Sequence, residues 1–418
     1  MRILHLVHQY PPEYIGGVEL YTHTVAHYQA RLGHTVTVVT GSSAEGGGHH
    51  RQVEDGVEVI ALHNGVADPR GRFLATLSND AAAVAALIHA RQPDLIHVQH
   101  LMGLPAALLG SIRAAGIPYL ITLHDYWWIC ANAQLLTNYS QTRCDGPIAY
   151  LNCTRCLIAR SGQPYLWAAA PVPWGLLVQR ARLLGNWVAN AGALVAPSEF
   201  VRSWYERHGA PAGRTIVVPH GVDPPDAWTP RPRAEATKVR FLYLGGIAPQ
   251  KGVHIALDAF RRVRGAAEFH VAGDLGVDPS YATQLQALAP PNVRFLGRLD
   301  RVTLWDALSA ADILVTPSLW HETFCFVVHE AFAAGIPVMA ARIGALQDVV
   351  RDGIDGILLP PGAPDRWATA MQALVDDPAQ IKAMRGQGRR PISVASHMEQ
   401  LEHIYAGVLA GTHGKNHE

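Results

Sequence analysis

Short runs of apolar and β-branched residues alternate with helix-length amphipathic segments along the whole chain. In the first half this pattern predicts strands over Arg2–His8, Thr35–Thr40, Val57–Leu62, Leu95–Gln99, Tyr119–Leu123 and Ala193–Ala196. In the second half it predicts strands over Val239–Leu244, Glu268–Ala272, Val293–Leu296, Ile313–Thr316, Pro337–Ala340 and Gly356–Leu359. Strands joined by helices imply parallel sheets, because a parallel connection needs a long crossover. The pattern therefore predicts an α/β fold with two doubly wound domains.

The predicted helices and the proline-rich segment between the two halves indicate the domain organisation. Helices are predicted over Val18–Leu32, Asp80–Arg91, Pro105–Ala114, Val253–Val263, Val302–Ala310 and Phe326–Ala334. The proline-rich stretch Gly221–Pro232 is typical of a linker, so we expect domains at 1–222 and 233–390. A final helix near Val394–Leu409, within 391–418, is expected to pack back toward the N-terminal domain. Ligands of such sheets bind at the carboxyl ends of the strands, which predicts a site in a cleft between the two domains.

Composition excludes several classes of protein. The chain has 418 residues, of which 49% are hydrophobic and 16% charged, so it is not predominantly disordered. Lys plus Arg and Asp plus Glu both total 34, which argues against nucleic acid as a partner. The start, Met1–Glu13, has no apolar core followed by a cleavage site, so we expect no signal peptide and a cytoplasmic location. Because 22 histidines make chance pairs common, no histidine pair is interpreted as a metal site.

One uncharged segment, Ser161–Gln179, is rich in Trp, Leu and Ala. Pro164, Pro171 and Pro173 are expected to break it, and it barely reaches the length needed to span a bilayer. We interpret it either as an interfacial or acceptor-facing segment or as a buried loop and helix. With this segment, a peripheral membrane contact stays an alternative, although the zero net charge weakens the attraction of the protein to anionic lipid.

Four of the five cysteines lie in one insertion, residues 126–160: Cys130, Cys144, Cys153 and Cys156. One Cys-x-x-Cys pair with two further cysteines can supply the four thiolates of a structural zinc site. An iron–sulfur cluster, which also takes four thiolates, is the less favoured alternative, and reduced thiols in a loop are the other. Cys325 stands apart and is interpreted as packing.

Two glycine loops are candidates for binding an anion. Gly16 and Gly17 precede the first helix, where glycine allows close approach and the helix N-terminus supplies N–H donors. The loop does not match Gly-x-Gly-x-x-Gly, which argues against a nicotinamide cofactor. In the second half, Lys251 stands beside Gly252 at a helix start, where the helix dipole disfavours a cation. An anionic ligand would explain the lysine, and a solvated loop lysine is the alternative.

The strongest signal is the segment WHETFCFVVHE, Trp320–Glu330. Its carboxylates, Glu322 and Glu330, are eight residues apart, which places them on roughly one face of a helix. Carboxylates in an apolar segment are costly unless they bind something. They suit the hydroxyls of a sugar and a ribose, and a structural ion pair is the alternative for either one.

The order of these motifs resembles that of the retaining nucleotide-sugar glycosyltransferases of family 4, which have the two-Rossmann GT-B fold. The motifs are the Gly-Gly loop, HD after a strand, PSEF, PHGVD, KG and the two glutamates. The resemblance implies transfer of a sugar from a nucleotide-diphosphate sugar to a hydroxyl of a glycan, a lipid-linked glycan or a small metabolite. It also implies no organic cofactor. No Asp-x-Asp pair is present, so no catalytic divalent metal is expected.

The resemblance also implies residue roles. Glu322 would hold donor-sugar hydroxyls and Glu330 the ribose, with Lys251 on the diphosphate. His124 would lie beside the reacting sugar. Further donor contacts are implied for Gly16, Gly17, the backbone of Thr323, Phe324 and Cys325, and the base-binding residues Gly297, Arg298 and Leu299.

One position departs from the family pattern. The arginine that commonly follows the first glycine of the second loop is Gly246 here, and Arg298 or Arg342 is the candidate replacement. Because of this departure, a GT-B epimerase of sugar nucleotides and a non-catalytic nucleotide-sugar binder stay open as alternatives. The sequence does not indicate an oligomeric state.

Overall fold

A computed structural model describes residues 1–42, 49–62, 81–226, 228–229 and 238–413. The chain forms two compact units, Met1–His220 with Ser396–Glu418, and Gly221–Ala395. The glycine run Gly46–Gly48, Asp80 at the start of a predicted helix, and residues 227 and 230–232 of the predicted linker lie outside the described residues.

The first unit contains an eight-stranded sheet in its described part. The strands are β1 (Arg2–Leu6), β2 (Thr35–Gly41), β3 (His49–Glu54), β4 (Val57–Leu62), β5 (Leu95–Val98), β6 (Tyr119–Thr122), β7 (Ala193–Ala196) and β8 (Thr215–Val217). Their spatial order is β3-β4-β2-β1-β5-β6-β7-β8. The central strands are apolar and buried, as expected for a sheet covered on both faces.

The sequence did not predict two strands of this sheet. Strand β3 is polar and lies at an edge, where it pairs with β4 in the antiparallel direction, so the sheet is not purely parallel. Strand β8 has three residues and is too short to show a periodic pattern. The predicted strands end within two residues of the observed bounds.

Helices connect the strands of the first unit. They are α1 (Gly17–Arg31), α2 (Ala81–Arg91), α3 (Leu108–Ala114), α4 (Leu151–Ser161), α5 (Pro171–Asn190) and α6 (Glu199–Arg207). The prolines divide the segment Ser161–Gln179 between the end of α4, a 3-10 turn over Pro164–Ala169 and the start of α5, whereas Pro173 lies inside α5. Pro171 is the first residue of α5, where its fixed φ and missing N–H suit the first helical turn.

The second unit contains a six-stranded parallel sheet in its described part. The strands are β9 (Val239–Leu244), β10 (Ala267–Ala272), β11 (Val293–Gly297), β12 (Ile313–Thr316), β13 (Val338–Ala341) and β14 (Gly356–Leu359), in the order β11-β10-β9-β12-β13-β14. The helices are α7 (Val253–Phe260), α8 (Pro279–Leu288), α9 (Arg301–Ser309), α10 (Phe326–Ala333), α11 (Leu346–Val349), α12 (Pro364–Asp376) and α13 (Ala379–Met384). Its core includes the buried rings of Phe241, Phe260, Phe269, Trp305 and Trp367.

The chain order of both units confirms the predicted α/β class with two doubly wound sheets. The last helix, α14, spans Val394–His413, and its residues from Ser396 onward belong to the first unit. None of the helices in the described part of the chain is both long and apolar enough to cross a bilayer.

Candidate functional site

Glycine at position 252 fixes Lys251 in the second unit. Lys251 ends a short 3-10 turn, Pro249–Lys251, just before α7 rather than within it. Gly252 has φ +72°, and a Cβ there would lie 2.0 Å from the carbonyl oxygen of Pro317. The Leu319 N–H donates to the Gln250 carbonyl at 2.9 Å. The loop after β9 is therefore pressed onto the loop after β12, which only glycine permits.

Three donors converge on one oxygen of the buried Glu322 carboxylate. Lys251 Nζ lies 2.9 Å from Glu322 Oε1, Ser318 Oγ 2.6 Å and Trp320 Nε1 2.8 Å. The Lys251 ammonium also lies 4.9 Å from the centroid of the Trp320 ring. Burial is the largest influence on the pKa of Lys251 and would lower it, but the Glu322 charge, the nearby Cys325 and the hydrogen bond to Glu322 together raise this pKa above its ordinary value. The Lys251 side chain is therefore charged at neutral pH.

The backbone of Glu322 is held by a second close glycine contact. Gly344 has φ +56°, and a Cβ there would lie 2.5 Å from the Glu322 carbonyl oxygen. The Ala345 N–H donates to that oxygen at 2.8 Å. The carboxylate is thus positioned by backbone packing as well as by its own hydrogen bonds.

The residues after Glu322 form a strained turn into α10. Cys325 has φ +66°, a left-handed conformation that is uncommon for a residue with a Cβ, and it is the N-cap of α10. Such strain concentrates at functional sites. Phe324 is buried and stacks on His329, with ring centroids 4.0 Å apart. Burial and the neighbouring Glu322 charge raise the pKa of the Cys325 thiol, which keeps it protonated.

Glu330 lies inside α10, whereas Glu322 precedes this helix. The expectation that both glutamates share one helix face is therefore wrong, because the chain turns at Cys325 before the helix begins. Glu330 Oε1 accepts a hydrogen bond from Arg301 Nη1 at 3.1 Å. Burial raises the pKa of Glu330, and the Arg301 charge offsets only part of this shift.

Arg301 was not recognised from the sequence, because its partner is 29 residues away and no motif contains it. It also donates to the Asp223 carbonyl.

The predicted base-contact residues lie close to Arg301 in the chain. Gly297 ends β11 with φ +70°, Arg298 is exposed, and Leu299 is half-buried. Arg342, the other candidate to replace the arginine missing at Gly246, pairs with Asp352 and donates to the Leu358 carbonyl. Gly246 itself accepts a hydrogen bond at its carbonyl from Tyr243 Oη at 2.8 Å.

The first unit presents its glycine loop at the start of α1. Gly16 is the extended N-cap and Gly17 the first helical residue. A buried carboxylate that the sequence did not indicate, Glu19, lies in this first turn, with Oε1 3.4 Å from His8 Nε2. Burial raises the pKa of Glu19. A Cβ at Gly16 would lie 2.6 Å from Glu19 Oε2, so glycine makes room for this carboxylate.

His124 is the end of a chain of buried side-chain hydrogen bonds. The members, in order, are His124, Gln99, His5, Gln29, Tyr405, His97 and Thr122, with donor–acceptor distances of 2.7 to 3.2 Å. The amide nitrogens must donate and the amide oxygens must accept, so His124 and His5 carry their protons on Nε2. The chain of hydrogen bonds ties α14 to strands of the first sheet.

Burial keeps these histidines neutral. It lowers the pKa of His5 to about 4 and that of His124 to about 3, and it lowers the pKa of His97 strongly. His397, which lies 2.9 Å from Tyr21 Oη, has its pKa lowered to about 4 for the same reason. His97 and His100 are also buried and hydrogen-bonded, His97 to Tyr405 Oη at 2.7 Å and His100 to an Asp125 oxygen at 3.2 Å.

Of the four predicted zinc ligands, all within the described part of the chain, Cys153 and Cys156 lie on α4, and no three of the four sulfur atoms lie within 4.8 Å of one another. Cys156 Sγ accepts from the Asn138 N–H at 3.2 Å, and Cys144 Sγ accepts from Asn152 Nδ2 at 3.5 Å. Burial raises the pKa of Cys153 to about 12 and that of Cys156 to about 11, and neighbouring thiols add to both shifts. All five cysteines are free thiols.

A buried arginine lies beside these thiols. Arg180 is 1% exposed, donates to the Trp127 carbonyl and lies 4.8 Å from the Trp127 ring centroid. Its pKa is lowered by burial to about 10, and the nearby Cys130 and Cys153 oppose this shift. No carboxylate in the described part of the chain forms an ion pair with Arg180, although the Asp125 charge is among the influences that raise its pKa.

Comparisons with known proteins match both units. The model "Glycosyltransferase Family 4" matches residues 15–225, and "Glycosyl transferases group 1" matches residues 238–377. D-inositol 3-phosphate glycosyltransferase of Geodermatophilus obscurus is 35% identical over 255 residues, which cover 55% of this chain and 56% of that protein. Glycogen synthase of Mycobacterium tuberculosis is 27% identical over 407 residues, 94% of this chain and 90% of that protein.

Solved structures share the fold at lower identity. Sucrose-phosphate synthase of Thermosynechococcus elongatus has a TM-score of 0.70 at 20% identity and covers 98% of this chain and 100% of its own. Anabaena HepE in complex with UDP-glucose has a TM-score of 0.66 at 19% identity and covers 97% and 99%. The two sheets and these matches define a glycosyltransferase with the GT-B fold. The chain belongs to glycosyltransferase family 4, as the motif resemblance predicted.

Proposed function

We propose that the chain transfers a sugar from a nucleotide-diphosphate sugar to an acceptor hydroxyl with retention of anomeric configuration. The observation that carries this proposal is the pair of the half-buried Lys251 and the buried Glu322, which sets one cation and one carboxylate 2.9 Å apart. A diphosphate needs the cation, and sugar hydroxyls donate to a carboxylate. Glu322 Oε1 accepts all three protein hydrogen bonds, which leaves Oε2 for the sugar. HepE, which shares this fold, is solved with UDP-glucose.

Other residues of the second unit provide the remaining contacts with the nucleotide-sugar donor. Glu330 binds the ribose hydroxyls, while Arg301 donates a hydrogen bond to the same carboxylate. The backbone of Thr323, Phe324 and Cys325 faces the sugar or phosphate. Gly297, Arg298 and Leu299 contact the base. Because Arg342 is already paired with Asp352, Arg298 is the better candidate for the second phosphate cation.

Further roles are proposed for residues of the first unit. Gly16 and Gly17 allow the loop before α1 to approach the diphosphate, and the N-terminus of α1 favours the negative charge. His124, neutral and oriented by Gln99, contacts the reacting sugar.

The reaction forms a glycosidic bond to the acceptor and breaks the bond between the anomeric carbon and the diphosphate oxygen. The acceptor oxygen attacks the anomeric carbon on the face from which the diphosphate departs, and the acceptor proton passes to an oxygen of the departing phosphate. Lys251 stabilises the charge that develops on that phosphate. No enzyme carboxylate serves as a nucleophile, in contrast to retaining glycoside hydrolases.

A panel of nucleotide sugars, with and without glycan, lipid-linked and small-molecule acceptors, tests this function. We expect a glycosylated product with the anomeric configuration of the donor, determined by NMR. An inverted product contradicts retention. A changed donor sugar without transfer would instead identify an epimerase, and binding without either product would identify a non-catalytic binder.

We also propose that Cys130, Cys144, Cys153 and Cys156 hold a structural zinc ion. Support comes from the hydrogen bonds to two of the sulfurs and from Arg180, whose buried charge a tetrathiolate zinc site would balance. Metal analysis of protein purified without chelator should find zinc, and Cys153→Ser with Cys156→Ser should lower the content by about one equivalent. Iron in its place would identify the cluster alternative, and less than about half an equivalent of any metal contradicts the site.

We further propose a peripheral contact with an anionic membrane on the cytoplasmic face. Ile148, Leu151, Trp167, Val172 and Trp174 are exposed around α4 and α5. No Asp or Glu occurs between Asp145 and Glu199, whereas this stretch has four arginines, so the local charge is positive although the chain is neutral. Trp167→Ser with Val172→Ser should abolish co-flotation with phosphatidylglycerol vesicles, and the distant exposed change Val277→Ser should not. Equal flotation of both proteins contradicts the contact.

A further inference from the structure

Two histidines and a glutamate come together on the first unit, away from the glycine loop. His23 and His27 are one turn apart on α1, and their rings stack with centroids 3.9 Å apart. Glu54 is the last residue of β3. One ligand atom of each residue lies within 4.8 Å of the others, and no other set of three such side chains in the described ranges is this compact.

The fold of the β3–β4 hairpin brings Glu54 to the helix. The turn consists of Asp55 at φ +44° and Gly56 at φ +83°, the combination that a two-residue hairpin favours. A Cβ at Gly56 would lie 3.6 Å from the Ala30 Cβ, so the turn packs on α1 next to His27. The last residue of the polar strand β3, Glu54, is thereby held next to His23 and His27.

The hydrogen bonding of His27 prepares it as a ligand. Its Nδ1 lies 2.9 Å from the His23 carbonyl oxygen, and a carbonyl can only accept, so Nδ1 carries the proton. Its Nε2 therefore presents a lone pair, and this atom is buried without a hydrogen-bond partner. His27 is 8% exposed, so an unused acceptor here is costly. Histidines that bind metals typically donate their other N–H to a carbonyl in this way.

A second buried polar group lies beside the pair, because the ring centroids of Tyr10 and His23 are 5.8 Å apart. Tyr10 Oη, which is also buried without a partner, has its pKa raised by burial and by Glu54. The sequence interpretation that no histidine pair forms a metal site did not consider Glu54, which is 27 residues beyond His27 in the chain.

We infer that His23, His27 and Glu54 bind a divalent transition-metal ion of the zinc class, with water at the open position. Two imidazoles and one carboxylate match the ligand preferences of Zn²⁺. The ion would tie the hairpin to α1, the helix whose first residue is Gly17. It is separate from the four cysteines and does not depend on the proposed transfer reaction.

Zinc titration of the chelator-treated full-length chain, followed by calorimetry and by thermal unfolding, tests the site. In Glu54→Gln and His27→Gln we expect the affinity of one site to fall at least about tenfold, together with the zinc-dependent rise in Tm. Glu54 is exposed, so its variant should fold even if the His27 variant does not. Glu399→Gln, an exposed carboxylate on α14, is the matched control and should titrate like the wild type.

A second variant separates this site from the thiols. Cys153→Ser should retain the site that Glu54→Gln loses, and Co²⁺ bound to Cys153→Ser should show the absorption of a nitrogen and oxygen ligand set. The inference is overturned if Glu54→Gln titrates like the wild type, or if Cys153→Ser removes all zinc binding.

Discussion

Lys251 and Glu322, which are 71 residues apart in the sequence, form an ion pair at 2.9 Å in the second unit. Lys251 approaches from the loop after β9 and Glu322 from the loop after β12. Lys251, which is half-buried, compensates the buried charge of Glu322. In the proposed reaction the lysine has a second anion to stabilise, the departing diphosphate, so both its charge and its position matter.

Removal of the Lys251 charge should lower kcat strongly. We expect Lys251→Met to reduce kcat by about 10²- to 10³-fold, because the charge on the leaving phosphate loses its stabilising cation. Steady-state kinetics with the donor identified by the panel provides the measurement. Lys382→Met removes an exposed lysine from α13 and should leave kcat unchanged. A Lys251→Met enzyme with full kcat would contradict the assigned role.

Gly252→Ala should displace Lys251, mainly because the new Cβ clashes with the Pro317 carbonyl oxygen and only partly because alanine disfavours a positive φ. The new Cβ would lie 2.0 Å from the Pro317 carbonyl oxygen, so the two loops must separate. Gly335 is the matched control, since its φ of +74° is nearly the same as +72° and nothing lies within 4 Å of a Cβ there. We expect Gly335→Ala to cost about 1 kcal/mol and to keep activity. Gly252→Ala should lose activity as well as stability, and equal effects in the two variants would contradict the argument.

Glu330 should discriminate a ribose from a deoxyribose. If its carboxylate accepts the ribose hydroxyls, a 2′-deoxy donor should bind the wild type about ten-fold or more weakly. Glu330→Gln should reduce this preference, because an amide oxygen is a weaker acceptor than a carboxylate. The ratio of kcat/KM for the two donors, measured in both proteins, provides the test. An unchanged ratio would show that Glu330 is only the partner of Arg301.

The strands and the unusual charged residues could be predicted from sequence, for a physical reason. Central parallel strands are apolar on both faces, so each appears as a short apolar run. Lys251, Glu322 and Glu330 stand out because a charge in an apolar context or at a helix start is costly. Such anomalies are local, and local signals are visible without a structure.

The partners of these residues could not be predicted, because they are distant in sequence. Ser318, Trp320 and Arg301 are ordinary residues until the fold brings them to Glu322 and Glu330. Polar β3 and three-residue β8 carry too weak a pattern to identify. The two glutamates were wrongly placed on one helix because nothing local indicates that Cys325 adopts a positive φ.

The buried histidines should make the first unit unstable in acid. His5, His124 and His397 have pKa values of about 4, 3 and 4 in the folded chain, lowered mainly by burial from 6.5. Between about pH 4 and 6.5 the unfolded chain therefore binds more protons than the folded chain. Their contribution to stability is complete above about pH 6.5 and is lost as the pH falls toward 4.

Each of these histidines should add up to about 1.4 kcal/mol per pH unit to the slope of stability against pH in this window. Urea unfolding at a series of pH values measures this slope. His397→Gln removes one titrating group, so its slope should be shallower by about that amount. His89→Gln, which changes an exposed histidine on α2, should keep the wild-type slope. If His397→Gln and wild type lose stability in parallel from about pH 6.5 to 4, the neutral buried histidine is not the cause.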